Sequence, residues 1–125
     1  MRSVNKIILI GHVVNDPEMK KTKTEKDICT FSLATNRDWI DSSGEKHERT
    51  DFHRLVAWQK LATICGQYVN KGKALYVEGR LTNRNYKNKE GETKYISEIV
   101  MDTVNFLSVK KNEKKDEVNV EEISK

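Results

Sequence analysis

The apolar pattern of this chain changes period twice, and those two changes limit the folds open to it. Up to Trp58 side chains alternate between two faces. From Gln59 to Asn70, Leu61, Ile64, Cys65 and Tyr68 fall at i, i+3, i+4 and i+7, and from Ala74 the alternation returns. Alternation is the mark of a strand, whereas the second spacing puts apolar groups on one face of a short helix. Lys71-Gly72 then offers a basic last turn and a glycine stop. One helix inserted between two runs of strands excludes helical bundles and repeating strand–helix units.

The strands themselves follow from composition and turn signals. Val4 to Val14 reads as a first strand, apolar on both faces in its middle, with Gly11 suggesting a bulge or sharp bend. Asn15-Asp16-Pro17-Glu18 is a turn, and the polar run Lys20–Lys26 a loop. Ile28–Asn36 is a second strand, Asp41-Ser42-Ser43-Gly44 a turn, and Glu45–Trp58 a third extended segment. After the helix, Ala74–Tyr86 and Lys94–Met101 flank a hairpin tip at Asn88–Glu92, and Asn105–Val109 forms a last short strand. The expected fold class is all-β with one short helix: a five-stranded OB-fold Greek-key barrel with an extended β-hairpin. It should occupy residues 1–109. Residues 110–125, five Lys against five acids with no apolar period, are expected to be a disordered charged C-terminal tail.

The stretch Thr50–Lys60 carries the chemistry. As a strand it places Phe52, Arg54, Val56 and Trp58 on one face and His53, Leu55 and Ala57 on the other. Rings and a guanidinium on one face suit unpaired bases, which stack, and their phosphates, which seek cations. The competing reading is a strand whose aromatics face the core. The formal net charge is +4, all of it in residues 1–109, which favours an anionic partner. No apolar run is long enough to span a bilayer, and Ile7–Ile10 is too short for a signal peptide, so a cytoplasmic, nucleoid-associated location is expected. Cys29 and Cys65 lack metal-ligand or CxxC spacing and read as reduced, partly buried small hydrophobes. Tyr68, Tyr76, Phe31 and Phe106 are assigned to the core.

Collinear segments across residues 3–108 carry a resemblance: Val4-Asn5-Lys6-Ile7-Ile8-Leu9-Ile10-Gly11, Asp16-Pro17-Glu18, Phe31-Ser32-Leu33-Ala34-Thr35, Thr50-Asp51-Phe52-His53-Arg54-Leu55-Val56, Tyr68-Val69-Asn70-Lys71-Gly72 and Leu75-Tyr76-Val77-Glu78-Gly79-Arg80-Leu81. Together they resemble the bacterial single-stranded DNA-binding proteins, homotetrameric OB-fold proteins of replication. The resemblance implies non-catalytic coating of single-stranded DNA with little sequence preference in replication, recombination and repair. It implies base stacking on Trp39, Phe52, Trp58 and Tyr86, with Phe52 and Tyr86 standing where the family commonly has Trp. Phosphate contacts are expected from Arg54 and Arg84, and less specifically from Lys6, Lys20, Lys46, Lys60, Lys71 and Lys87. A homotetramer built as a dimer of dimers is implied, with His53 near the subunit interface and the apolar first strand, Ile8 and Ile10, covered by another copy. Replication and repair proteins are further expected partners, although the tail Lys110–Lys125 lacks the acidic tip ending in Pro-Phe by which many members recruit them.

Three alternatives stay open on residues alone. A nuclease would need clustered carboxylates, but Asp51 and Arg54 have no evident second acid, and His12, His47 and His53 lack ligand spacing. No metal or cofactor is therefore expected. An adaptor would tolerate the loss of the four aromatics. RNA remains open, because stacking rings read the 2′-hydroxyl weakly.

Overall fold

Strand pairing in this protein runs in a ring. The computed structural model describes residues 2–108 and the pair Asn119–Val120. Strand β1 (Ile7–Val13) precedes a short β2 (Glu18–Lys21), then come the long β3 (Asp27–Ile40) and β4 (Lys46–Trp58), helix α1 (Gln59–Tyr68), β5 (Ala74–Lys87) and β6 (Thr93–Ser108). β1 pairs antiparallel with β5, β5 with β6, and β3 with β4, while β4 and β6 run parallel through Leu55–Ile99 and Val56–Val100. His12–Ala34 and Val13–Leu33 join β1 to β3 and close the barrel. This is the expected five-stranded OB-fold, closed by strand pairing and capped by α1, the one helix among the described residues.

The inward side chains fill the barrel: Phe31, Leu33, Leu55, Leu75, Val77 and Val104 are at most 2% exposed. At that packing density one methylene too many is felt. Two glycines let strands meet at close quarters. A Cβ on Gly11 would strike the Ala34 carbonyl of β3, and one on Gly79 the Val100 carbonyl of β6. β1 does not bulge at Gly11, since its register with β5 is unbroken there. The bulge is at Gly79, where pairing passes from Thr103 to Met101 and leaves Asp102 as the extra residue.

Asp102 also explains one departure from the expected elements. A polar residue in mid-strand looks like a break, yet β6 is continuous from Thr93 to Ser108. β3 extends to Ile40, beyond the expected Asn36, because it keeps pairing with β4 as far as Ile40–Lys46. The Lys20–Lys26 loop is in part strand: Glu18–Lys21 pair with Asp27–Thr30 at the open edge of β3, where polar side chains cost nothing. The helix stops at Tyr68, before the expected Asn70, and Gly72 lies in the turn beyond with φ +91°. It packs through Ala62 and Cys65, with Val69 buried just beyond its end, so Tyr68 is 55% exposed and not core; its ring meets Phe106 edge-on, 6.1 Å between centroids. Phe31 is core as expected, and Phe106 and Tyr76 are partly buried.

Asn119–Val120 form a seventh short strand, β7, pairing with Leu107 and Ser108 of β6. The remainder of the expected tail, 110–118 and 121–125, lies outside the described residues.

Candidate nucleic-acid interface

Beyond the core the two hairpins β3–β4 and β5–β6 project as arms with both faces solvated. Register decides which side chains share a face. Ile28–Trp58, Thr30–Val56, Ser32–Arg54 and Ala34–Phe52 are opposite pairs, so β3 and β4 present all of these outward. Parallel pairing carries the same surface to Val100 and hence Glu98 on β6, and antiparallel pairing on to Thr82, Arg84 and Tyr86 on β5. Phe52 is 65% exposed, Trp58 40% and Tyr86 48%. The competing reading, in which these rings face the core, is excluded by their exposure.

Trp39 is exposed too, at 43%, but pairs with His47 and so lies on the opposite face of the β3–β4 arm. The four rings therefore do not form one platform: three share the barrel's outer surface, and Trp39 marks the reverse side of an arm. Its ring stacks on His47, 5.2 Å between centroids and 17° from parallel, with the Arg37 guanidinium 5.5 Å from the ring centre. His47 is fixed in turn by Asp41, which accepts its Nε2–H at 2.8 Å. Asp41 also accepts the backbone N–H groups of Ser43 and Glu45, both at 2.9 Å. These bonds, that from His47 foremost, hold the Asp41 carboxyl down to about 2. They also bring Asp41, Glu45 and His47 within metal-ligand reach of one another, a grouping that the sequence spacing did not reveal. The bonds of the turn itself account for that grouping.

The groove on the outer surface is lined by Lys20, Ile28, Thr30, Arg54, Val56, Trp58, Arg84 and Glu98. Lys20 reaches it because β2 pairs Lys20 with Ile28, itself opposite Trp58. Gln59, with φ +54°, turns the chain sharply into α1, so Trp58 is the last strand residue and sits at the groove's end. Glu98 lies at the centre and was not anticipated. Its side chain is 8% exposed, and it accepts Arg54 Nε at 2.7 Å and Arg84 Nε and Nη2 at 3.0 Å each. Arg84 first and then Arg54 draw its pKa below the usual carboxylate range, against the opposing effect of burial. The signal was present in parity, since Glu98 shares its strand face with Ile96 and Val100, but no sequence pattern says which cations a lone acid will meet.

The remaining expected cations scatter. Lys46 and Lys87 stand on the arms, exposed; Lys60 is exposed on the first turn of α1. Lys71 is exposed in the turn after α1, its backbone N–H donated to Asp16 at 3.0 Å. Lys6 pairs with Glu78 at 3.0 Å on the β1–β5 side, where Tyr76 O–H donates to the same carboxylate at 2.6 Å. That side also carries Ile8 and Ile10, 53% and 60% exposed. His53 shares a hydrogen bond of 2.9 Å with Thr35 of its own chain and is partly buried. Tyr95, not singled out in the sequence, is 77% exposed on the reverse of the β5–β6 arm, opposite Asn85.

Cys29 and Cys65 are both free and fully buried, more so than expected. Burial pushes their thiols up to about 11 and about 12, which makes poor nucleophiles of both. No helix among the described residues is long and apolar enough to cross a membrane.

An OB barrel with solvent-facing rings and arginines on its outer strands defines a polymer-binding module rather than a catalyst. Residues 4–107 match the Single-strand binding protein family, and the chain belongs to it. Members of this family are binding proteins, not enzymes. The chain is 48% identical over 110 residues to Single-stranded DNA-binding protein 1 of Chlorobaculum tepidum, covering 87% of this chain and 68% of that protein. It is 40% identical to the single-stranded DNA-binding protein of Neisseria meningitidis serogroup A, over 84% of this chain and 60% of that one. Among solved structures it resembles the Plasmodium falciparum SSB in complex with ssDNA, with TM-score 0.80 and 35% identity over 86% of this chain and 98% of that one. It also resembles a deletion mutant of the Thermus aquaticus single-stranded DNA-binding protein, with TM-score 0.75 and 28% identity, covering 84% of this chain and 51% of that one.

Proposed function

We propose that this protein binds and coats single-stranded DNA with little sequence preference during replication, recombination and repair. The observation that carries the reading is one outward surface holding Trp58, Phe52 and Tyr86 together with Arg54 and Arg84. Every base has a stacking face, so such a surface selects unpaired strands without reading sequence. Trp39 on the reverse of its arm extends the contact, taking a strand that passes around the hairpin rather than along a single groove. Lys20, Lys46, Lys60, Lys71 and Lys87 add charge along that course, and Lys6 does so less, being held by Glu78.

The working unit is proposed to be a dimer of dimers, with Ile8 and Ile10 covered by a second copy and His53 near a subunit contact. Residues 1–109 act as the binding domain, and proteins of replication and repair are the further partners proposed. The location that follows is cytoplasmic, on the nucleoid.

The deciding experiment is a tryptophan-quenching titration of the wild type with poly-dT, beside an anisotropy titration of labelled oligo-dT with the wild type and with Trp39→Ala/Trp58→Ala, which removes both tryptophans of the chain. Strong quenching and tight binding are expected for the wild type. Affinity unchanged in the variant would refute stacking on these rings. A parallel competition with a matched RNA oligomer separates DNA from RNA as the preferred strand.

A further inference from the structure

We infer that Glu98 is a positioning residue of the strand-binding surface: it holds Arg54 and Arg84 as one preset pair whose net charge toward the strand is a single positive unit. The inference rests on the proposed binding of single-stranded DNA and adds to it the way in which the phosphate contact is built. Both arginines, expected as two independent phosphate contacts, converge on one carboxylate through three hydrogen bonds of 2.7 to 3.0 Å. That carboxylate is 8% exposed, whereas the arginine side chains are 40% and 53% exposed. An acid therefore forms the floor of the groove, and the guanidinium groups lie over it with their outer edges in solvent.

Two consequences follow from the chemistry. A guanidinium carries five N–H donors in a planar fork, so Arg54, bound to Glu98 through Nε, and Arg84, bound through Nε and Nη2, both keep donors for a phosphate. Held on one anion, the two cations are spared their mutual repulsion and the loss of side-chain freedom on binding. In return the carboxylate offsets one of the two charges. The strand then meets a fork with fixed geometry and the electrostatic pull of one cation, which suits a coat that must also be removed.

The test is the salt dependence of oligo-dT binding by the full chain. For single strands the slope of log K against log salt changes by about 0.7 for each phosphate neutralised. Glu98→Gln should steepen the slope by about 0.7, because a charge once offset now acts on the strand, and should lower affinity in high salt, where positioning outweighs charge. An unchanged slope in a folded Glu98→Gln protein overturns the inference. The double variant Arg84→Gln/Glu98→Gln removes a cation and its anion together, leaves no buried charge unpaired, and remains informative if the single variant does not fold. Its slope should equal that of the wild type while its affinity falls; a slope shallower by about 0.7 would mean that Arg84 acts alone and would refute the pairing. Weaker binding of labelled oligo-dT by Trp39→Ala/Trp58→Ala, read by anisotropy because that variant holds no tryptophan, tests strand binding separately, so a failed charge pair and a failed binding surface give different results.

Discussion

Single side chains decide how firmly this surface can hold a strand. Trp58 ends its β-strand with its ring in solvent beside Arg54 and Arg84, and its truncation removes one stacking partner. Stacks of this kind are worth about 1–3 kcal/mol per base, a scale established on single-strand-binding OB-folds themselves and taken over here as such. Trp58→Ala should accordingly weaken oligo-dT binding by about 5- to 150-fold, read by fluorescence anisotropy, with no change in the melting temperature. At the tip of the β3–β4 arm, Asp41 is the residue to watch. Its carboxyl is held at about 2, below the value of about 3.9 for a free side chain. A depressed carboxylate stabilises the fold above its unfolded value and ceases to do so as pH falls through its folded one. Hydrogen-exchange protection of the Ser43 and Glu45 amides should hold above pH ~4 and be lost between about 4 and 2, and Asp41→Asn should flatten that dependence.

Elements fail differently from side chains, through backbone that cannot move. β1 and β3 meet at Gly11, where the neighbour of an added Cβ is the Ala34 carbonyl and not a flexible side-chain end. Gly11→Ala should therefore cost about 1–3 kcal/mol in urea unfolding, the range for overpacked sites, while leaving stacking residues untouched. Affinity per folded molecule should be unchanged. The sequence marks Gly11 for a bulge or sharp bend, and the unbroken register with β5 removes the bulge, since a glycine in a strand signals a bulge and a close approach alike. The bulge itself, at Gly79 and Asp102, was misread as a gap between two strands because its extra residue is polar. α1 gave a comparable error. Its large apolar residues suggested a face including Tyr68, but small Ala62 and Cys65 let the helix lie close to the barrel and turn Tyr68 outward.

At the scale of the whole molecule, the exposed apolar face of β1 stands out. Ile8 and Ile10 are exposed on a barrel whose core is otherwise sealed, and isoleucines left to water are a reason to associate. On the proposed association through β1, Ile8→Asp/Ile10→Asp should lower the sedimenting mass below that of the wild type and weaken poly-dT binding. An unchanged mass would refute association through β1. The fold of the described residues was legible from the chain because period, turn residues and the single helix all agree with one topology, and local preference and global packing coincide. The candidate site was legible in kind and only partly in arrangement.

The sequence by itself determined the barrel, the shared face of Phe52, Arg54 and Trp58, and the residue types suited to an unpaired strand, because a strand's two-residue period is a local property of the backbone. Tertiary structure alone decided that Trp39 faces the other way from its fellow rings, that Lys20 enters the groove, and that Glu98 binds both arginines. Each of these depends on which strands lie side by side and in what register. Arg54 and Glu98 are far apart in the chain, and only the parallel pairing of β4 with β6 brings their charges within 2.7 Å.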